Sequence, residues 1–459
     1  MRQKPCLPRA TCTFSLAALG ILLAGCGGGG ASATAGTSVS APTVASTTPA
    51  TSSTPATTPV TTPATTPAPA SDATPATTPA TTPATTPVTT SPVTTPGPTP
   101  GALRVGPGQA YAAPCAAFAA AADGAVIEID AAGSYAGDVC GIARSNLVIR
   151  GVNGRPRIDA AGANAMGKGV WVVQGNHTTI ENVEIFGVRV ADRNGAAIRL
   201  DGKHLTLRAS YLHDNENGIL TNNDGVSDIL IETTEFANNG YGDGYSHNLY
   251  VGHVASLVFR YNYSHDAKVG HNLKSRAETN TITYNRFSTD GTGSPSYEID
   301  LPNAGLAYVI GNVIQQPANN QNPGMLTFGV EGATNARQEL YVVNNTFIND
   351  ASKGTFISVG SGVATAILAQ NNVFAGAGTP TSQASATLRT NYQGTAPGFL
   401  DRAAFNLIPQ LLSPLRNAGS APGSAGTMSL APTAQYVHPV AGISRAVSGQ
   451  IDIGAYQSP

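Results

Sequence analysis

Between Tyr241 and Arg276 the chain holds four of its eight histidines, with Arg260, Lys268, Lys274 and Arg276 among them. The tetrapeptide His247-Asn248-Leu249-Tyr250 returns 24 residues later as His271-Asn272-Leu273-Lys274. Imidazole, phenol, ammonium and guanidinium groups pass protons and neutralise developing negative charge. Glu298 and Asp300 follow after a further interval of similar length and add carboxylates. Such a set suits removal of a proton from the carbon next to a carboxylate. In a uronic-acid polysaccharide that step, followed by loss of the linked oxygen, is β-elimination.

The interval is about one coil of a β-solenoid, so segments one interval apart lie on neighbouring strands. Side chains two apart on a strand share a face. If Ile198, Ile219, Leu249, Leu273, Ile299 and Leu326 point inward, the residues after them form an outward column: Arg199, Leu220, Tyr250, Lys274, Asp300 and Thr327. The residues before them form a second outward column: Ala197, Gly218, Asn248, Asn272, Glu298 and Met325. Arg276 lies two residues beyond Lys274 on the same face.

Lys274 is the expected base, with its pKa lowered by neighbouring cations. Arg276, His271, His247 and Tyr250 would supply charge neutralisation and proton donation. Tyr245 and Tyr297 could stack on sugar rings, and Asn248 could bind substrate. Asn272, Glu298 and Asp300 are oxygen ligands hard enough for Ca²⁺. A bound Ca²⁺ would clamp the substrate carboxylate and depress the lysine pKa.

Other accounts stay open. The histidines could be structural at a bend, the tyrosines could pack under loops, and the charges could form a cross-strand salt-bridge lattice. A glycoside hydrolase would use two carboxylates from Asp243, Glu298 and Asp300. A uronate C5-epimerase shares the first half of the elimination. A non-catalytic, glycan-binding or adhesive solenoid uses the same scaffold, since fold does not imply function.

The segment HNLKSRAETNTITYNRF, starting at His271, resembles the lysine-bearing coil of the family 6 polysaccharide lyases, the alginate lyases and chondroitinase B. The resemblance implies a right-handed parallel β-helix, an acidic polysaccharide substrate and Lys274 as base. The family's acid is an arginine on the following coil; here Asp300-Leu301-Pro302 stands there. The family's calcium carboxylates come just before its lysine, where this chain has Lys268-Val269-Gly270-His271.

The elements that must position these groups recur as short β-rich segments. Asn262, Asn285, Asn312, Asn345 and Asn372 each follow one, at spacings of 23, 27, 33 and 27 residues. Asparagines one coil apart can stack inside a turn and satisfy its backbone groups, and they tolerate left-handed conformations. Strands without helical periodicity predict an all-β, right-handed parallel β-helix over 103–459, of about ten coils. Tyr111 to Ala122 reads as an amphipathic helix capping the first coil. Asp452-Ile453-Gly454-Ala455-Tyr456 resembles the closing segment of exported β-helix proteins.

Residues 1–25 read as a signal segment, with Arg2, Lys4 and Arg9 before the apolar run from Phe14 to Ala24. Leu23-Ala24-Gly25-Cys26 resembles a bacterial lipobox, which implies lipidation of Cys26, and Gly27 after it implies an outer-membrane lipoprotein. Residues 26–102 are a Thr/Pro/Ala-rich tether with too little apolar surface to fold. Cys115 and Cys140 remain as an even pair in an oxidising compartment and are expected to form a disulfide, the alternative being two free thiols. The formal net charge of −2 excludes a strongly basic nucleic-acid binder. The expected partners are an acidic polysaccharide and, through the lipid alone, a membrane, with the chain a monomer.

Overall fold

The computed structural model describes residues 99–291 and 293–459. The expected signal segment, Cys26 and the tether up to residue 98 lie outside the described residues. Three large sheets carry the coils from Leu103 to Gly394: sheet I with 12 strands, and sheets II and III with 10 each; three two-stranded antiparallel pairs follow between Phe399 and Ser444, so the coils stop short of the expected residue 459. One coil runs Leu205–Arg208 in sheet I, Tyr211–His213 in sheet II and Asn217–Thr221 in sheet III, then returns to sheet I at Asp228–Glu232. Neighbouring strands within each sheet are parallel and one coil apart. The fold is the expected parallel β-helix, wound in the right-handed sense that parallel crossovers take.

Alternation along each strand separates a dry interior from the outer faces. Phe236, Phe259 and Phe287 are fully buried on successive coils, with ring centroids 6.1 and 5.8 Å apart. Each such side chain contributes about 2 kcal/mol through burial. On the outer face of sheet I, Arg104, Glu128, Arg150, Glu181, Arg208, Glu232 and Arg260 align rung by rung. Opposite charges meet at 2.7 Å for Arg150 and Glu128 and at 2.6 Å for Arg208 and Glu232. Arg260 closes this column on Glu232 at 2.6 Å, so it belongs to the scaffold. The partly exposed pairs Arg208–Glu232 and Arg260–Glu232 contribute about 0.2–1 kcal/mol each.

The bend from sheet I to sheet II is held by the expected asparagines. The backbone N–H and Nδ2 of Asn285 both donate to Oδ1 of Asn312, at 2.9 Å each. Asn312 donates in the same way to Asn345, at 2.9 and 3.0 Å. Each Nδ2 also reaches a strand carbonyl, as Asn312 does to Ile282 at 2.8 Å. The left-handed residue of the turn is not the ladder asparagine but the one before it: Tyr261, Tyr284 and Asn344 have φ of 58°, 57° and 52°. The ladder residue is chosen for hydrogen bonding and its neighbour turns the chain.

The first coil is capped, and the C-terminal segment packs along the side of the β-helix. The capping helix spans Pro114–Ala120, shorter than expected, because proline suits its first turn. Phe118 meets Trp171 edge to face at 5.3 Å, and Cys115 is disulfide-bonded to Cys140 as expected. In the C-terminal segment Leu430 packs against Leu306, Tyr308, Ile310 and Val343 on the outside of sheet I. The segment around Asp452 seals the I–II bend: Asn344 Nδ2 donates to the Asp452 carbonyl at 2.9 Å. No helix among the described residues is long and apolar enough to cross a membrane.

Candidate active site

Sheet III brings the outward column together in the expected register. Leu220 pairs with Tyr250, Tyr250 with Lys274, Lys274 with Asp300, and Asp300 with Thr327. Lys274, on strand Leu273–Ser275, sends Nζ to within 3.0 Å of Asp300 Oδ2 and 2.7 Å of Glu331 Oε1. Burial works against the ammonium, but the two carboxylates outweigh it and hold Lys274 above the ordinary lysine range. Thr327 donates to Asp300 Oδ1 at 2.5 Å. Asp300 is fully buried, and that burial raises its pKa despite Lys274 and Thr327.

Arg276 follows the same strand and continues the column toward sheet I. Its Nε donates to the Tyr250 hydroxyl at 2.8 Å. Its Nη1 donates to Asn303 and its Nη2 pairs with Glu331 Oε2. Glu331 therefore spans both cations with one carboxylate. Burial would raise it, but hydrogen bonds from Lys274 and Arg276 bring it down to about 2.

Two histidines stand at the start of the strands. His247 and His271 stack at 4.5 Å, and Tyr297 lies against His271 at 5.0 Å. The His271 backbone N–H donates to His247 Nδ1 at 3.0 Å. His271 Nε2 is 3.4 Å from Asp300 Oδ2, while its Nδ1 is buried without a partner. Burial and then the Lys274 charge bring His271 down to about 3. Burial and His271 hold His247 well below the usual range. Both rings are neutral near pH 7, so they offer no positive charge to a substrate.

The structure corrects several expectations. Asn248, Asn272 and Glu298 do not face outward. They form a second buried ladder at the bend from sheet II to sheet III. Asn239 donates to Asn248 Oδ1 at 3.1 Å, Asn248 Nδ2 to Asn272 Oδ1 at 2.8 Å, and Asn272 Nδ2 to Glu298 Oε2 at 2.5 Å. Strand alternation stops at this bend, because the chain turns before the strand begins, and so the column was misread. Burial pushes Glu298 up to about 8, with Asp290 and Asp266 adding to it.

The calcium expectation does not fit these residues. Glu298 points into the ladder, Asp300 is taken by Lys274 and Thr327, and Asn272 Oδ1 accepts from Asn248. Their oxygens do not converge on one point. Among the described residues, no group of three or more His, Cys, Asp or Glu side chains is arranged to hold a metal ion.

The expected lowering of the Lys274 pKa is likewise reversed, since its neighbours are anions. Tyr245 stands exposed on loop 238–247, where its backbone N–H caps Asp243 Oδ1 at 3.0 Å. Lys268 pairs with Asp214 at 3.3 Å. Lys274, Arg276, Tyr250, His271, His247, Tyr297 and Asp300 do come together.

Glu331 and Asn303 are the residues that sequence reasoning missed. Both lie on loops leading from sheet III to sheet I. Loop length there varies from coil to coil, so no fixed interval points to them. The one available signal is an acid shortly after a core strand, Gly324–Phe328.

No family model matches the chain, and no curated protein does. Among solved structures it is similar to the crystal structure of pectate lyase Pel9A, with 15% identity over 75% of this chain and 90% of that one, at a TM-score of 0.49. It is also similar to the Geobacillus virus E2 ORF18 protein, with 13% identity over 61% of this chain and 56% of that one, at a TM-score of 0.37. The fold rests on the strand pairing described above and not on these likenesses.

Proposed function

We propose that the protein is an exported polysaccharide lyase that cleaves a uronic-acid polysaccharide by β-elimination. The observation that carries this is the carboxylate bridge: Lys274 on its strand and Arg276 just beyond it share the two oxygens of Glu331. A site that holds one carboxylate between an ammonium and a guanidinium can hold a substrate's. Neutralising that carboxylate lowers the barrier to removing the neighbouring carbon-bound proton, because negative charge builds on it in the transition state.

A base must be neutral before it acts, and Lys274 is held protonated while both carboxylates face it. Asp300 offers the way out. It lies 3.0 Å away and is too buried to favour its charge. Once Glu331 is displaced and Arg276 takes the substrate carboxylate, the Lys274 proton can pass to Asp300. The amine then takes the proton from the carbon next to the carboxylate. The released electron pair forms the carbon–carbon double bond, and the bond to the linked oxygen breaks. Tyr250 accepts a hydrogen bond from Arg276, so its own O–H is free to protonate that leaving oxygen.

The likeness of the Lys274 coil to family 6 lyases belongs to this proposal, as do the lipid anchor on Cys26, the outer-membrane location, the monomeric state and an acidic polysaccharide as partner. No step uses calcium. A hydrolase has one observation in its favour, two carboxylates, Asp300 and Glu331, on a single ammonium. The product separates the two: a lyase leaves an unsaturated uronate whose conjugated double bond absorbs in the far ultraviolet, and a hydrolase leaves only reducing ends. The anchor is tested by Cys26→Ser, which is expected to release the protein from membranes; retention would reject it.

A further inference from the structure

Glu331 differs from the other acid on Lys274. Its side chain is 44% exposed, whereas that of Asp300 is 1% exposed. It sits on the loop from Gly324–Phe328 to Gln338–Val343, between Gly329 and Gly332, which have φ of 69° and 122°. Its backbone N–H donates to the Pro302 carbonyl at 3.0 Å, which fixes the loop beside the site. The carboxylate thus reaches both cations from a main chain held on the neighbouring coil. An exposed carboxylate leaves such a pair at a lower cost than a buried one, since water replaces part of what it loses.

Resting on the lyase assignment, we infer that Glu331 is a placeholder for the substrate carboxylate and that Lys274 and Arg276 form a subsite for one unesterified uronate. A uronate carboxylate carries the same charge, so Arg276 can take it in place of Glu331, and Lys274 is left facing Asp300 and the carbon next to that carboxylate. A neutral sugar or a methyl-esterified uronate cannot replace Glu331, because displacing it would leave two neighbouring cations facing a neutral group. Glu331 thereby sets specificity: it admits anions and keeps the cations paired against everything else. It also weakens binding of the correct substrate, because only the fraction of molecules with Glu331 displaced is competent.

The test is affinity electrophoresis of the full chain in native gels cast with polygalacturonate, alginate or methyl-esterified polygalacturonate. Glu331→Gln keeps the shape and removes the charge. It is expected to bind at least one of the two polyuronates about tenfold more tightly than the unaltered protein. The esterified polymer should retard both proteins equally weakly. Glu331→Ala is expected to give the same gain, which separates loss of the placeholder from any effect of the glutamine. No gain in affinity, or no binding by either protein, overturns the placeholder. Tighter binding without any unsaturated product keeps it and rejects the lyase. Unsaturated product with unchanged affinity does the reverse.

Discussion

Lys274 Nζ lies 3.0 Å from Asp300 Oδ2, its register partner on the next strand. This contact decides whether the lysine can ever be a base. An exposed carboxylate would simply keep it protonated. A buried one, with Thr327 on its other oxygen, can accept the proton when water is excluded. Asp300→Asn removes that acceptor while keeping the shape. It is expected to lower kcat by about 10²-fold or more, with KM changing less. Steady-state kinetics on the active polyuronate check this, and an unchanged kcat would take Asp300 out of the chemistry.

Tyr250→Phe removes the hydroxyl that accepts from Arg276. As the proposed proton donor to the leaving oxygen, its loss is expected to cost about 10²-fold in kcat. The effect should shrink for a substrate whose leaving group needs no proton. An equal loss on both kinds of substrate would make Tyr250 a positioning residue for Arg276.

Glu298 makes stability depend on pH. Its folded pKa of about 8 lies above the ordinary 4.5 of a glutamate, so the folded state binds more protons between these values. Stability is therefore highest on the acid side of this window and falls as pH rises through it, by on the order of a few kcal/mol in all. Glu298→Gln cannot ionise and still accepts from Asn272. Its unfolding midpoint in urea is expected to fall less than that of the unaltered protein between about pH 5 and pH 9. Parallel curves would mean that Glu298 is already ionised in the fold.

Asn312→Ala tests the first ladder. It strips the acceptor from both donors of Asn285 and the donor from the Ile282 carbonyl, all buried. Leaving such groups unpaired is expected to cost about 2 kcal/mol or more. Urea unfolding measures it, and a loss below about 0.5 kcal/mol would mean that the coil closes without the ladder.

Much of this architecture was legible in the chain, for physical reasons that differ by residue. Leu273 and Lys274 could be assigned to inner and outer faces because strand alternation is fixed by the pleat. Asn285 and Asn312 announced a turn because few side chains both donate and accept within a bend. Glu298 was misassigned because it sits at a bend, where alternation no longer governs direction. Glu331 was invisible because it arrives on a loop two coils later. The direction of the Lys274 shift could not be read either, since it depends on which charges meet, and those come from three separate coils.

The central claim is that Lys274 takes a proton from a uronate and that a double bond results. The direct measurement is far-ultraviolet absorbance of the conjugated double bond in the products from polygalacturonate, alginate, glycosaminoglycan and bacterial exopolysaccharide, with the unaltered protein and Lys274→Ala side by side. The unaltered protein is expected to generate unsaturated product from at least one polymer, and the variant to lose about 10²-fold or more in kcat while it still binds. Depolymerisation without a double bond, or a folded Lys274→Ala protein with full activity, would contradict the account.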